Sequence, residues 1–502
     1  MSLSAPPSRT LLRCLPALLA VAMAGCAVGP EFVRPDAPAP TDWRQWTDQD
    51  NVMRGVPVID GIPQGDWWGA YRDPVLDGLQ RRAQQVSPDL QTAALHLAQA
   101  RVQRQTVAAQ RLPEVDLTGG VTRQRQSEFG AATRVIDAIS NDRQPLVDVL
   151  SQPFTLYQAG FDASWELDLW GRIRRSVQAA DADVQRQAAL LDMTRLSVAS
   201  EVTRAYFELR TAQKQEALTR EDIAALEDRL GLLQARVDAG VIDHLDLERL
   251  RAELAGLKAR LPSLLVQQSD AEGQLALLVG QMPGQLAGQW QPPAAAQEPV
   301  LPELALGIPS EVAQRRPDIR AAEARLRNAT ASVGIAQADL YPSIRLGARF
   351  GYESYLSGEF SDWGSRTWSI GPVLNLPIFD HGRRKGVVRL RELQQQEAAV
   401  SYQHTVLQAW QEIDGALSRY AANSAQGAAL KIRERSSHDA YALAQAKYRG
   451  GTTDFSTVLD SQRVWIQARR DVVDNEGQRA IAFATVNKAI GNGPVAPPTA
   501  GP

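Results

Sequence analysis

Histidines, cysteines and carboxylates are the side chains best able to bind a metal or move a proton, and here they form no catalytic pattern. The histidines do not have the spacing of metal ligands. The many carboxylates lie in long stretches of helix-favouring residues, so pairing for acid–base chemistry is not indicated. Glycine-rich phosphate loops are absent. We therefore expect no enzyme activity, no metal site and no cofactor; the histidines are His96, His244, His381, His404 and His438.

The two cysteines both lie near the N-terminus. Cys14 lies within a short apolar stretch and Cys26 directly follows it, so neither a disulfide framework nor a cysteine-based zinc site is expected. Arg9 and Arg13 precede the apolar residues, which number about ten and are too few to span a bilayer as a helix. Residues 1–25 are therefore predicted to be a signal peptide.

The end of this segment carries a second signal. Its sequence Met23-Ala24-Gly25-Cys26 resembles the lipobox of bacterial lipoproteins, in which small residues precede a cysteine that becomes the first residue of the mature chain. The resemblance implies that Cys26 carries diacylglycerol and an N-acyl chain such as palmitate. Ala27 does not signal retention in the inner membrane. The alternative is an ordinary signal peptide with an incidental cysteine.

The overall composition is that of a folded protein. Hydrophobic residues make up 44% and charged residues 22% of the chain, which argues against disorder. The net charge of -3 gives no reason to expect a nucleic-acid partner. After residue 26 no apolar window is long enough for a membrane-spanning helix, so any crossing of a membrane would have to be made by strands.

The most informative feature of the sequence is an internal repeat. An offset of 211 places Gly171 on Gly382, whereas an offset of 229 aligns prolines upstream, so the first half contains 18 additional residues between about 114 and 170. A period this long indicates two homologous halves rather than a solenoid. The matched pairs include Glu201 with Glu412, Ala235 with Ala446, Gly240 with Gly451, Asp243 with Asp454 and Pro88 with Pro317.

Each half is predicted to contain a helix, two strands, a very long helix, a glycine-containing turn and another helix. Residues 171–239 lack proline and are rich in Ala, Gln, Arg, Leu and Glu, which favour helix. Such a helix would be roughly 100 Å long. Its apolar residues recur at spacings typical of packing along a narrow seam. On the helices alone, a soluble coiled coil is an open alternative.

Four segments alternate apolar and polar residues with the period of a strand. Any one of them fits a half-buried soluble sheet equally well. Four such segments with aromatic residues near their ends, in a chain with a signal peptide and a lipobox, favour strands in the outer membrane. The predicted strands cover about 114–127, 155–168, 342–353 and 366–378.

Four strands are too few to close a barrel, because the smallest membrane barrels have about eight. An open sheet edge in lipid is prohibitively costly, so several chains must form one shared barrel. Two chains would supply eight strands, and three would supply twelve with room for a lumen. The predicted fold class is mainly α with a small β part, in which long α-helical hairpins form a shared helical tube.

Several motifs together resemble one known family. The chain resembles the outer-membrane factors of tripartite efflux systems, the TolC-like proteins, and within them the lipoprotein branch of NodT type. The resemblance covers nearly all of residues 26–491 and is specific in its combination of motifs. These are Cys26-Ala-Val-Gly-Pro-Glu-Phe, Ser164-Trp-Glu-Leu-Asp-Leu-Trp-Gly-Arg172, Arg315-Arg-Pro-Asp-Ile-Arg320, Tyr341-Pro342 and Pro377-Ile-Phe-Asp-His-Gly-Arg383.

The resemblance implies a homotrimer in the outer membrane. Its twelve-stranded transmembrane β-barrel would continue into a periplasmic α-barrel. The partners would be a periplasmic adaptor (a membrane fusion protein) and an inner-membrane pump of the resistance-nodulation-division type. The protein would then be a passive exit channel of this efflux system. The alternative function is a periplasmic structural or adaptor lipoprotein without a pore.

The resemblance also implies a gate at the periplasmic tip. Asp460 matches a constricting aspartate of the family, so three chains would present a ring of carboxylates that favours cations. A second constricting aspartate of some members is replaced by Thr457. A latch between a tyrosine and an aspartate maps to Tyr448 and Asp246, and an arginine that joins it in some members is replaced by Thr453.

The tip corresponds to two glycine-containing turns. Gly240 and Asp243 belong to the first turn, and Gly451 and Asp454 to the second. For the two aspartates we favour a structural role as helix caps over a role in the gate.

These predictions divide the chain into six segments, with Trp67-Trp68 expected to pack in a belt around the helical tube. The segments are a signal peptide at 1–25, a lipidated tether at 26–65, a first repeat at 66–285 with a helical hairpin at 169–280, a proline-rich equatorial connector at 286–310, a second repeat at 311–491 with a hairpin at 379–490, and a disordered tail at 492–502.

Overall fold

The computed structural model describes most of the chain between the two termini. The described residues are 27–36, 58–59, 65–130, 134, 144–240, 243–285, 304–306 and 309–493. The predicted signal peptide, Cys26, and most of the predicted tether, connector and tail lie outside the described residues.

The described residues form the elements expected for two homologous halves. The first half contains α1 (Pro74–Val86), α2 (Pro88–Ala109), β1 (Glu114–Gln124), α3 (Gln144–Leu150), β2 (Phe154–Leu167), α4 (Arg172–Asp238) and α5 (His244–Leu278). The second half contains α6 (Pro309–Arg315), α7 (Pro317–Ala338), β3 (Ser343–Ser354), β4 (Arg366–Asn375), α8 (Arg383–Arg449) and α9 (Phe455–Ala489). A mainly α chain with four longer strands is thereby confirmed.

Three pairs of equivalent helices have equal lengths in the two halves. The long helices α4 and α8 each have 67 residues, and the helices α5 and α9 that follow them each have 35. Helices α2 and α7 each have 22 residues. No helix among the described residues combines the length and apolar character needed to cross a membrane. The repeat read from the sequence is therefore a repeat of structure.

The four strands form one antiparallel sheet in the order β1-β2-β3-β4. At its centre Gly160 lies opposite Gly351, where a Cβ added to Gly160 would lie 2.7 Å from the carbonyl oxygen of Phe350. Strand β4 ends at Asn375, three residues before the predicted end.

The chain divides into two compact units, and each draws on both halves. Of the described residues, the sheet unit comprises those within 27–33, 100–183 and 326–397. The hairpin unit comprises the described residues within 34–99, 184–325 and 398–493.

In the sheet unit, the residues just after Cys26 are held by hydrogen bonds. The backbone N–H of Val28 donates to the carbonyl oxygen of Trp170 at 3.1 Å. The side chain of Arg175, only 3% exposed, donates to the carbonyl oxygens of Val28 and Gly29 and to the carboxylate of Glu31 at 2.8 Å. The segment that follows Cys26 is therefore fixed to this unit.

Both long helices begin at a carboxylate in the sheet unit. Asp168 accepts hydrogen bonds from the N–H groups of Ile173 and Arg174 at 2.9 and 2.8 Å. In the second half, Asp380 accepts from the N–H groups of Gly382 and Arg384 at 3.1 and 3.2 Å. These carboxylates satisfy N–H groups that a helix start leaves without partners.

The hairpin unit contains two separate apolar cores. In the larger core Trp67 and Trp68 are buried, and the hydroxyl of Tyr71 donates to the carbonyl oxygen of Ala480 at 2.6 Å. The ring of Phe483 lies edge-on to Tyr71 at 5.4 Å between ring centroids. The smaller core includes parts of α4, α5, α8 and α9 and supports the candidate site.

Candidate functional site at the hairpin turns

In each hairpin, one glycine-containing turn joins the two helices. Gly240 follows α4 and Gly451 follows α8, and each has a φ of 71°. Their N–H groups donate to the carbonyl oxygens of Val237 at 2.8 Å and Tyr448 at 3.0 Å. A side chain would strain this left-handed backbone, so glycine is the residue these positions require.

Asp243 and Asp454 occupy the N-cap positions of α5 and α9, as the capping interpretation required. Their side chains, however, accept no capping hydrogen bond. A capping carboxylate could accept a hydrogen bond from the N–H of Thr457 in α9. That N–H instead donates to the backbone carbonyl oxygen of Asp454 at 3.2 Å. These carboxylates can stabilise the helix starts only through the helix dipole.

Asp460, the predicted constricting residue, lies in the second turn of α9. Its side chain is 75% exposed, and its contact with the guanidinium of Arg463 is long, at 3.8 Å. Arg463 is held more closely by Glu253 of α5, at 3.0 Å. Asp460 therefore remains a solvated carboxylate that can face another charge.

In this structure Tyr448, one half of the predicted latch, is bonded to a residue other than Asp246, so the latch stays a prediction. The hydroxyl of Tyr448 accepts a hydrogen bond from the guanidinium of Arg236 at 3.2 Å, and its ring packs on Phe455 at 5.3 Å between centroids. Asp246 lies half-buried in the first turn of α5 and forms no recorded bond with Tyr448. Arg236, in the last turn of α4, is the hydrogen-bond partner of Tyr448 in this structure.

A layer of aromatic and charged side chains joins three helices near the turns, and sequence reasoning missed it. Arg229 of α4 donates to the hydroxyl of Tyr441 at 2.7 Å and also bonds Gln462 of α9. The ring of Tyr441 stacks on Trp465 at 5.3 Å, and the indole N–H of Trp465 donates to Glu434 at 3.0 Å. No local spacing signals this layer, because its members come from distant parts of the chain.

A buried ion cluster links α4 to α9, and it too was missed. Asp222 lies 3.3 Å from Arg470 and 3.5 Å from Arg469, and the side chains of Asp222 and Arg470 are only 6% and 4% exposed. Burial raises the pKa of Asp222, against the opposing effect of the two arginines. Burial lowers the pKa of Arg470, and the nearby positive charge of Arg260 acts in the same direction.

The sequence matches a family in two segments that follow the two halves. The profile described as outer membrane efflux protein matches residues 79–281 and 308–492. The chain belongs to this family. The break between the segments falls at the predicted connector.

Individual relatives agree with this assignment. The chain is 31% identical over 479 residues to the outer membrane protein OprJ of Pseudomonas aeruginosa, covering 95% of each chain. It is 25% identical to nodulation protein T of Rhizobium leguminosarum bv. trifolii, covering 94% of this chain and 95% of that one. The structure of the outer-membrane channel OprN superposes with a TM-score of 0.83 at 30% identity, covering 93% of this chain and 99% of that one.

The family and its relatives confirm the TolC-like assignment and the NodT branch. The protein is an outer-membrane efflux factor that extends into the periplasm. The members of its family are channel proteins rather than enzymes.

Proposed function

We propose that three copies of this chain form the passive exit channel of a tripartite efflux pump. Substrate would be delivered by an inner-membrane pump of the resistance-nodulation-division type through a periplasmic adaptor. The family match over both halves carries this proposal, and the geometry of the sheet and the turns supports it.

The two unpaired edges of the sheet explain why several copies of the chain would assemble. Strands β1 and β4 are the two edges, and every residue of β1 and nearly every residue of β4 is exposed in one chain. Unpaired backbone groups are very costly in lipid, so each edge needs a strand from a second copy. Four strands from each of three chains give twelve, which leaves room for a lumen.

At the tip, Asp460 is the residue proposed to line the closed channel. Three solvated carboxylates around one axis would repel each other and attract cations, so that a nearly closed tip would admit cations in preference to anions. The exposure of Asp460 and its long contact with Arg463 support this role, because the carboxylate is not neutralised by a close partner within its own chain.

Assembly is tested by measuring the native mass of the purified protein, and conduction by recording from the same protein in a planar lipid bilayer. We expect the mass of a trimer and discrete, ohmic conductance steps. A monomer without conductance would overturn the proposal and would favour the alternative of a structural lipoprotein without a pore.

We propose further that Cys26 carries the lipid anchor. The hydrogen bonds of Val28 and Arg175 fix the residues that follow it, so the acyl chains would start at a fixed point of the sheet unit. We expect labelled palmitate to be incorporated into the native chain and into Cys14→Ser, but not into Cys26→Ser. Correctly assembled Cys26→Ser trimers should still conduct, and loss of their conductance would contradict a purely anchoring role.

A further inference from the structure

A pocket of about 320 Å³ lies beside the second glycine turn in the hairpin unit. Its floor is apolar, since Leu233, Phe455 and Val458 are all buried. None of its lining residues carries a carboxylate. The lining consists of Arg229, Leu232, Leu233, Arg236, Gln445, Tyr448, Arg449, Phe455 and Val458.

Three arginines of the lining bond only to neutral partners. Arg229 donates to the hydroxyl of Tyr441 and to Gln462, and Arg236 to the hydroxyl of Tyr448. Arg449 donates from Nε to the backbone carbonyl oxygen of Gln445 at 3.4 Å. Within the part of the chain that the structure describes, no ion pair is recorded for any of the three.

This arrangement differs from that of several other arginines on the same helices. Arg204 on α4 lies between Glu201 and Glu208 at 2.6 and 2.8 Å, and Arg469 on α9 contacts Glu221 at 2.8 Å. Each of these arginines thus meets a carboxylate within its own chain. The pocket instead gathers three positive charges that lack one.

The geometry points to a binding site for an organic anion with an apolar body. Guanidinium groups bind carboxylates through paired, charge-assisted hydrogen bonds. An apolar body would cover the buried floor, and the volume lies within the range of small-molecule sites, about 300–1,000 Å³. A cationic ligand would be repelled, and a strongly hydrated inorganic anion would leave the apolar floor unfilled.

Binding would also affect Tyr448, a predicted gate residue that lines the pocket. A carboxylate on Arg236 competes for the same guanidinium that now donates to the Tyr448 hydroxyl. The inference does not rest on conduction, because the pocket is formed by a single chain and its binding can be measured without current.

The test is calorimetric titration of the full-length protein in lipid nanodiscs with 4-phenylbutanoate, using empty nanodiscs as the blank. We expect saturable binding of one anion per chain, weakened by salt. The neutral amide of the same acid should bind about tenfold more weakly or worse, because it cannot form charge-assisted bonds. Equal binding of acid and amide, or no saturable binding, would overturn the site, and this comparison needs no variant.

Two variants locate the site. Arg449→Gln should weaken 4-phenylbutanoate binding about tenfold. Lys447→Gln removes a positive charge from the same helical turn but outside the lining, and should bind as the native protein does. An equal loss in both variants would show general attraction by the charged tip and would overturn the pocket as the site.

Discussion

The two ends of the long helices α4 and α8 are built differently. At their starts, in the sheet unit, the carboxylates of Asp168 and Asp380 each accept two backbone N–H groups. Beyond their far ends, in the hairpin unit, Asp243 and Asp454 hold cap positions without any capping bond. The contrast separates acidic residues that fix the backbone from acidic residues that remain available for other charges.

The same difference appears in the ion pairs. Near the start of α4, Arg172 binds Glu166 through two bonds of 2.8 and 3.0 Å. Near the turns, Asp460 contacts Arg463 only at 3.8 Å and stays exposed. Asp460 is therefore a loosely held carboxylate, which suits the gate role proposed for it.

The largest expected loss of stability comes from breaking the ion cluster that links α4 to α9. Asp222→Ala leaves Arg470 buried without its carboxylate, which should lower the free energy of unfolding by about 3–5 kcal/mol. Its neighbour Glu221 is exposed, so Glu221→Ala should cost less than about 1 kcal/mol. Denaturant unfolding followed by circular dichroism measures both. Equal losses would mean that burial of the cluster contributes nothing.

A smaller loss of stability is expected from adding a side chain where the central strands β2 and β3 meet. Gly160→Ala would place a Cβ 2.7 Å from the carbonyl oxygen of Phe350, and overpacking of this kind costs about 1–3 kcal/mol. Gly120→Ala meets no atom within 4 Å in the same sheet and serves as the control. We expect a lower melting temperature and less assembled trimer for Gly160→Ala alone. Native-like assembly of this variant would show that the close approach is not required.

The smallest stability difference tests the comparison of the helix ends directly. Asp168→Ala removes two hydrogen bonds at the start of α4 and should cost about 1–2 kcal/mol. Asp454→Ala removes no hydrogen bond of its side chain and should cost a few tenths of a kcal/mol through the helix dipole alone. Thermal unfolding of the two variants side by side gives the ranking, and a reversed order would refute the contrast between the two ends.

Much of the fold could be predicted from the sequence because its signals are local or repeated. The absence of proline and the helix-favouring composition predicted α4 and α8, and the repeat predicted that Gly240 and Gly451 share one conformation, as their equal φ angles show. The alternation of apolar and polar residues located the four strands, with errors of a few residues at their ends.

The contacts within the site could not be predicted, because they join residues that are far apart in the chain. Arg236 and Tyr448 are separated by 212 positions, and Asp222 and Arg470 by 248. Which arginine reaches a hydroxyl depends on how helices pack and how far each side chain extends. The resemblance offered Asp246 as the partner of Tyr448, and nothing local in the sequence indicated that Arg236 would donate to the same hydroxyl.

Asp460 is proposed to form the charged constriction at the tip. The direct test is the ratio of cation to anion permeability, taken from reversal potentials in a salt gradient across a planar bilayer. The control is Asp439→Ala, which removes another exposed carboxylate, on α8. We expect the native channel and Asp439→Ala to prefer cations, and Asp460→Ala to lose most of that preference while its resting conductance rises. Unchanged selectivity in Asp460→Ala, or an equal loss in Asp439→Ala, would contradict the account.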